Sequence, residues 1–129
     1  MSNPHKTTVV TIYTEWDESR VIDLSYAYDC QVDLAHVVAD RCQMDVLSIS
    51  HAPVRANRCI ATCVYYNNGM SLTDIVAALR PEAQLPTPPA WQVIVADEEN
   101  RGIRIYVMMN EDVLRESDDM RRAREQNSR

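Results

Sequence analysis

The stretch RCIATCVYYNNG, residues 58–69, constrains the fold more than any other part of the chain. Ile60, Thr62, Val64, Tyr65 and Tyr66 favour extended backbone, and the NNG that follows suits a tight turn. Alternation places Cys59, Ala61, Cys63 and Tyr65 on one side and Ile60, Val64 and Tyr66 on the other. A strand apolar on both sides predicts a central strand, covered on both faces. The same reading bears on the C-x₃-C spacing of Cys59 and Cys63. On a strand, residues four apart are separated by about 13 Å, too far to share a zinc ion or to form a disulfide. Both cysteines therefore read as small buried hydrophobes. No second pair of Cys or His completes a zinc finger, so neither a metal nor a cofactor is expected.

The flanking segments predict hairpins alternating with helices. TTVVTIYTEW (7–16) has Val10, Ile12 and Trp16 on one side. After a DESR turn, VIDLSYAY (21–28) puts Ile22, Leu24, Tyr26 and Tyr28 on one face, which predicts an antiparallel hairpin. DCQVDLAHVVADRCQ (29–43) carries Leu34, Val37, Val38 and Cys42 at helical spacing, with Asp29 as the expected N-cap. VLSIS (46–50) pairs with 58–66 around a loop, HAPVRAN. Ser71 and Asp74 form a capping box for a helix over 72–80, which Pro81 stops. PEAQLPTPPA (81–90) reads as a proline-rich internal connector. WQVIVAD (91–97) and IRIYVMM (103–109) predict a third hairpin around DEENRG. NEDVLRESDDMRRAREQ (110–126) predicts a helix, with acids in its first turn and arginines in its last.

The expectation is one α+β domain over residues 1–129, a length typical of a single domain. Its antiparallel or mixed sheet is built from three hairpins, each followed by a helix, with the helices mainly on one face. Residues 1–6 and 126–129 are expected to be disordered.

Composition narrows the function. The chain holds only two glycines, Gly69 and Gly102, too far apart for a phosphate-binding loop, a dinucleotide fingerprint or a nucleophile elbow. A net charge of −6 argues against direct nucleic-acid binding, because such affinity rests on Lys and Arg meeting phosphates. Lys6 is the one lysine among 13 basic residues and phenylalanine is absent, a usage that suggests a GC-rich bacterial or phage gene. No apolar run approaches the ~20 residues of a membrane span, and MSNPHKTTVV lacks the features of a secretory signal. A cytoplasmic location is the simpler expectation, with few cysteines and no need of disulfides.

Three constellations carry candidate chemistry. Asp33, His36 and Asp40 share one face of the first predicted helix, where they suit a metal or a general base but more often form a solvated face. His51 falls in a predicted loop, where catalysis needs Cys42 or Cys59 beside it. The acids Asp97, Glu98 and Glu99 in the last hairpin, with Glu116, Asp118 and Asp119 in the tail, form the expected partner-binding surface. The expected function is that of a small acidic, non-enzymatic binding module. It regulates or inhibits a larger protein or nucleoprotein that has a basic surface. A small enzyme, or a small-ligand or metal-binding protein, using His36 or His51 is one alternative. A homo-oligomeric structural protein, such as a homodimer, is the other.

Overall fold

A computed structural model describes residues 7–79, 91–97 (backbone only), 102–109 and the isolated positions 119, 122, 123, 125 and 126. Seven elements follow in the order β1 (Thr7–Glu15), α1 (Leu24–Cys42), β2 (Asp45–Arg55), β3 (Arg58–Tyr66), α2 (Leu72–Ala78), β4 (Trp91–Asp97) and β5 (Ile103–Met109). The strands form one mixed sheet in the order β2-β3-β1-β5-β4. β1 runs antiparallel to β3 and parallel to β5, while β2–β3 and β4–β5 are antiparallel hairpins.

The α+β class and the mixed sheet agree with the sequence, but the pattern of three hairpins each followed by a helix does not. The first predicted hairpin is absent: residues 24–28 open α1, and β1 pairs with β3 and β5 instead. Asp23, not Asp29, is the N-cap, and its carboxylate accepts the Ser25 N–H at 3.0 Å. The alternation of Ile22, Leu24, Tyr26 and Tyr28 imitates a strand. The stripe Tyr26, Ala27, Cys30, Gln31, Leu34, Ala35, Val38, Ala39 and Cys42 shows the helical period that wins, since all these residues are buried. Most of the third expected helix, 110–126, lies outside the described residues, as do 1–6, 81–90 and 127–129. Positions 119, 122, 123, 125 and 126 are helical and exposed.

The other elements follow their local chemistry. β3 lies inside the sheet as expected, between β2 and β1. Cys59, Ala61, Cys63 and Tyr65 are fully buried on its inner face, whereas Ile60, Val64 and Tyr66 on the other face are only half-buried. That second face therefore lacks the full cover predicted for it. β2 runs on through the expected HAPVRAN loop to Arg55. As an edge strand it tolerates Pro53, and its register shifts around Leu47 and Val54 mark bulges. In α2 the Ser71 hydroxyl accepts the Asp74 N–H at 3.2 Å, the expected cap. The NNG turn is held by Asn67, whose Oδ1 accepts the N–H groups of Gly69 (2.9 Å) and Met70 (2.7 Å), while Gly69 takes a positive φ of 119°.

The core fills the inner face. Val10, Ile12 and Trp16 of the β1 segment meet Ala61, Cys63 and Tyr65 of β3, with Ile103, Ile105 and Val107 of β5 in the same cluster. Leu34, Ala35 and Val38 of α1 and Ile75 and Leu79 of the α2 segment complete it. Burial of each large aliphatic side chain contributes roughly 1.5–3 kcal/mol. The Tyr65 hydroxyl donates to the Ala35 carbonyl at 2.6 Å, tying β3 to α1.

Candidate functional site

Because the core occupies one side of the strands, alternation sends every second residue to the opposite, open face. On β1 these are Val9, Thr11, Tyr13 and Glu15; on β3, Arg58, Ile60, Thr62 and Val64; on β5, Arg104, Tyr106 and Met108. The parallel register sets Tyr13 beside Tyr106, and their rings stack with centroids 4.9 Å apart and planes 15° from parallel. A hollow of about 360 Å³ opens beside this pair, lined chiefly by Tyr13, Tyr106, Ile60, Val54 and Met108. Glu15 and Arg58 close one end with an ion pair of 3.1 Å. Past that pair lies a second hollow of about 600 Å³, where Glu15, Asp17 and Glu18 face Arg55, Arg58 and Asn57.

The turn after β1 shapes that second hollow. Asp17 accepts the Ser19 N–H at 2.9 Å, and this hydrogen bond holds its carboxyl below the usual carboxylate range. Asn57, at the tip of the β2–β3 hairpin, donates its side-chain amide to the Trp16 carbonyl at 2.7 Å, and its own carbonyl accepts the Trp16 N–H at 3.2 Å. The end of β1 and the tip of the β2–β3 hairpin are thereby fastened together around Trp16, which is 1% exposed.

Of the sequence-predicted acids, Asp97 and Asp119 fall among the described residues, and neither lines these hollows. Asp97 ends β4, in register with Arg104. Asp119 is exposed, 3.9 Å from Arg122. Glu98, Glu99, Glu116 and Asp118 lie outside the described residues. The aromatic hollow went unread in the sequence, although its signal was present: Tyr13 and Tyr106 occupy the outward phase of TTVVTIYTEW and IRIYVMM, where a polar side chain is the usual occupant.

The histidine candidates separate. His36, Asp33 and Asp40 are all exposed on α1, and no group of three potential metal ligands occurs among the described residues. His51 stands on β2, not in a loop, and stacks on Tyr28 with centroids 4.6 Å apart. Its Nδ1 lies 3.0 Å from Gln31 Oε1. Gln31 is fully buried, and its Nε2 faces Thr14 Oγ1 at 2.9 Å and the carbonyls of Ile12 and Cys59 at 3.3 and 3.4 Å. Two carbonyls accept only, so the amide nitrogen must face them and Oε1 must accept from His51. Neutral His51 is therefore protonated on Nδ1. Burial lowers its pKa, against the charge of Asp29.

The cysteines remain inert partners. All four are free and buried. Burial pushes the thiols of Cys59 and Cys63 up to about 11 and that of Cys42 upward as well. Neither Cys42 nor Cys59 is thus poised as a thiolate beside His51.

Among the described residues no helix is long and apolar enough to cross a membrane. Compared with known proteins, the chain matches no family model, no curated protein and no solved structure at a significant level.

Proposed function

We propose that this chain is a small acidic binding module that regulates or inhibits a larger protein or nucleoprotein with a basic surface. The observation that carries the reading is the open sheet face, where a stacked tyrosine pair walls an apolar hollow beside an acidic turn. Interfaces are anchored by aromatic and apolar contacts of this kind, with charge around them setting encounter and specificity. The chain's charge of −6 favours a cationic partner. The acids Asp97, Glu98, Glu99, Glu116, Asp118 and Asp119 remain the proposed partner-binding residues and contribute six of the chain's carboxylates.

The test is affinity isolation from a GC-rich bacterial lysate at moderate salt. Charge reversal of Asp97, Glu98 and Glu99 together, or of Asp118 and Asp119, should weaken capture. Recovery of no partner would count against the reading as a whole, and indifference to both reversals would remove these acids from it.

A homodimer through the sheet edge is a second reading. On β2, Leu47 and Val54 are 55% and 51% exposed on a strand that lies at the sheet edge among the described residues. A mass that rises with concentration in light scattering would support it. A monomeric mass throughout would remove it.

A further inference from the structure

The walls of the open-face hollow indicate what it accepts. A small-molecule site orients its ligand with a few convergent, desolvated polar groups. Here the charged side chains at the hollow, Arg58 and Glu15, are 48% and 37% exposed and already satisfy each other. Thr14 Oγ1 is taken by Gln31. Val54 and Met108, 51% and 39% exposed, leave the rim as apolar surface instead of closing it over a ligand. An anchor pocket for one side chain of a partner has this construction: apolar walls, a wide mouth and an ion pair at its edge.

Open sheets bearing tyrosines also bind single-stranded nucleic acid, through bases stacked on free ring faces above a positively charged groove. Tyr13 and Tyr106 spend one face each on the other. The chain's net charge has the wrong sign for phosphates. A protein partner fits better, and charge indicates its character. In the adjoining hollow three carboxylates, Glu15, Asp17 and Glu18, face two guanidiniums, Arg55 and Arg58. Glu15 and Arg58 neutralise each other, Asp17 is held ionised by the Ser19 N–H, and Glu18 is exposed. The lining carboxylates outnumber the lining guanidiniums by one, Arg20 acts on Asp17 from outside the lining, and the chain as a whole carries −6.

We infer that this surface docks a basic protein segment. An aromatic or long aliphatic side chain of the segment sits against Tyr106, Ile60, Val54 and Met108. A Lys or Arg beside it meets Asp17 and Glu18. This inference rests on the binding-module reading and names the partner's chemistry at the hollow.

A random-peptide library selected on the immobilised full chain tests it, followed by anisotropy with the selected peptides. The expected peptides carry an apolar anchor flanked by Lys or Arg. Met108→Glu and Val54→Glu, both at exposed positions, should weaken them at least ~10-fold while thermal unfolding stays unchanged. Asp17→Arg combined with Glu18→Arg should shift the selection toward acidic flanks. Acidic or anchor-free peptides on the native chain, affinities indifferent to Met108→Glu and Val54→Glu, tighter binding of oligo-dT than of any peptide, or an empty selection would each overturn the inference. If a lysate partner is captured but ignores Met108→Glu, the hollow's role falls while the binding module stands. If nothing is captured, the module itself falls.

Discussion

Tyr13 and Tyr106 lie side by side on parallel strands, their rings stacked at 4.9 Å over the face of the sheet that the core leaves open. Offset aromatic pairs contribute about 0.5–1.5 kcal/mol beyond the area they bury. Tyr13→Leu, Tyr106→Leu and the double variant should therefore show a coupling of that size in urea unfolding. Additive losses would mean that the rings do not support one another.

The Tyr65 hydroxyl is the one polar atom of its side chain, buried between β3 and α1 and donated to Ala35. Tyr65→Phe keeps the packing and removes that bond, at a cost of about 1 kcal/mol. The urea midpoint should fall while the slope is retained. An unchanged midpoint would show that the bond adds no net stability.

Gln31 explains why part of the site was hidden in the sequence. A glutamine on the apolar stripe of α1 looks like a defect in the pattern, yet it reaches β1, β3 and His51 at once. That convergence depends on the register between α1 and the sheet, which no local spacing encodes. The second and third hairpins and the Ser71 cap were legible because each is specified within a few residues, by a turn or a hydroxyl. The first hairpin was misread for the opposite reason: β1 takes its partners from β3 and β5, far along the chain, while Asp23 starts a helix where alternation suggested a strand. β2 outran its predicted end because an edge strand needs no N–H from Pro53.

His51 makes stability depend on pH. Its pKa in the folded protein lies below the ordinary 6.5 because of burial. The unfolded chain therefore takes up the proton first as pH falls. The stabilisation is complete above about 6.5 and is lost on descending from there to the folded pKa. Unfolding curves between neutral pH and pH 5 should show this loss, and His51→Ala should flatten it. In NMR titration, Asp29→Asn should lower the His51 midpoint further, because Asp29 opposes the burial effect. A rise in that midpoint would contradict the assignment.

The four cysteines should resist modification in the folded state. With Cys59 and Cys63 raised to about 11 and all four buried, a thiol reagent at pH 8 should react only as the protein unfolds. Rapid labelling of two native thiols would contradict the core assignment of β3.

An apolar hollow on an acidic chain is proposed to dock a basic partner. The most direct test is the affinity of the partner recovered by the full chain, measured against salt with native protein and with Met108→Glu. Affinity should fall as salt rises, and Met108→Glu should weaken binding at least ~10-fold at every salt concentration. Affinity that is independent of salt and equal for both proteins would contradict the account.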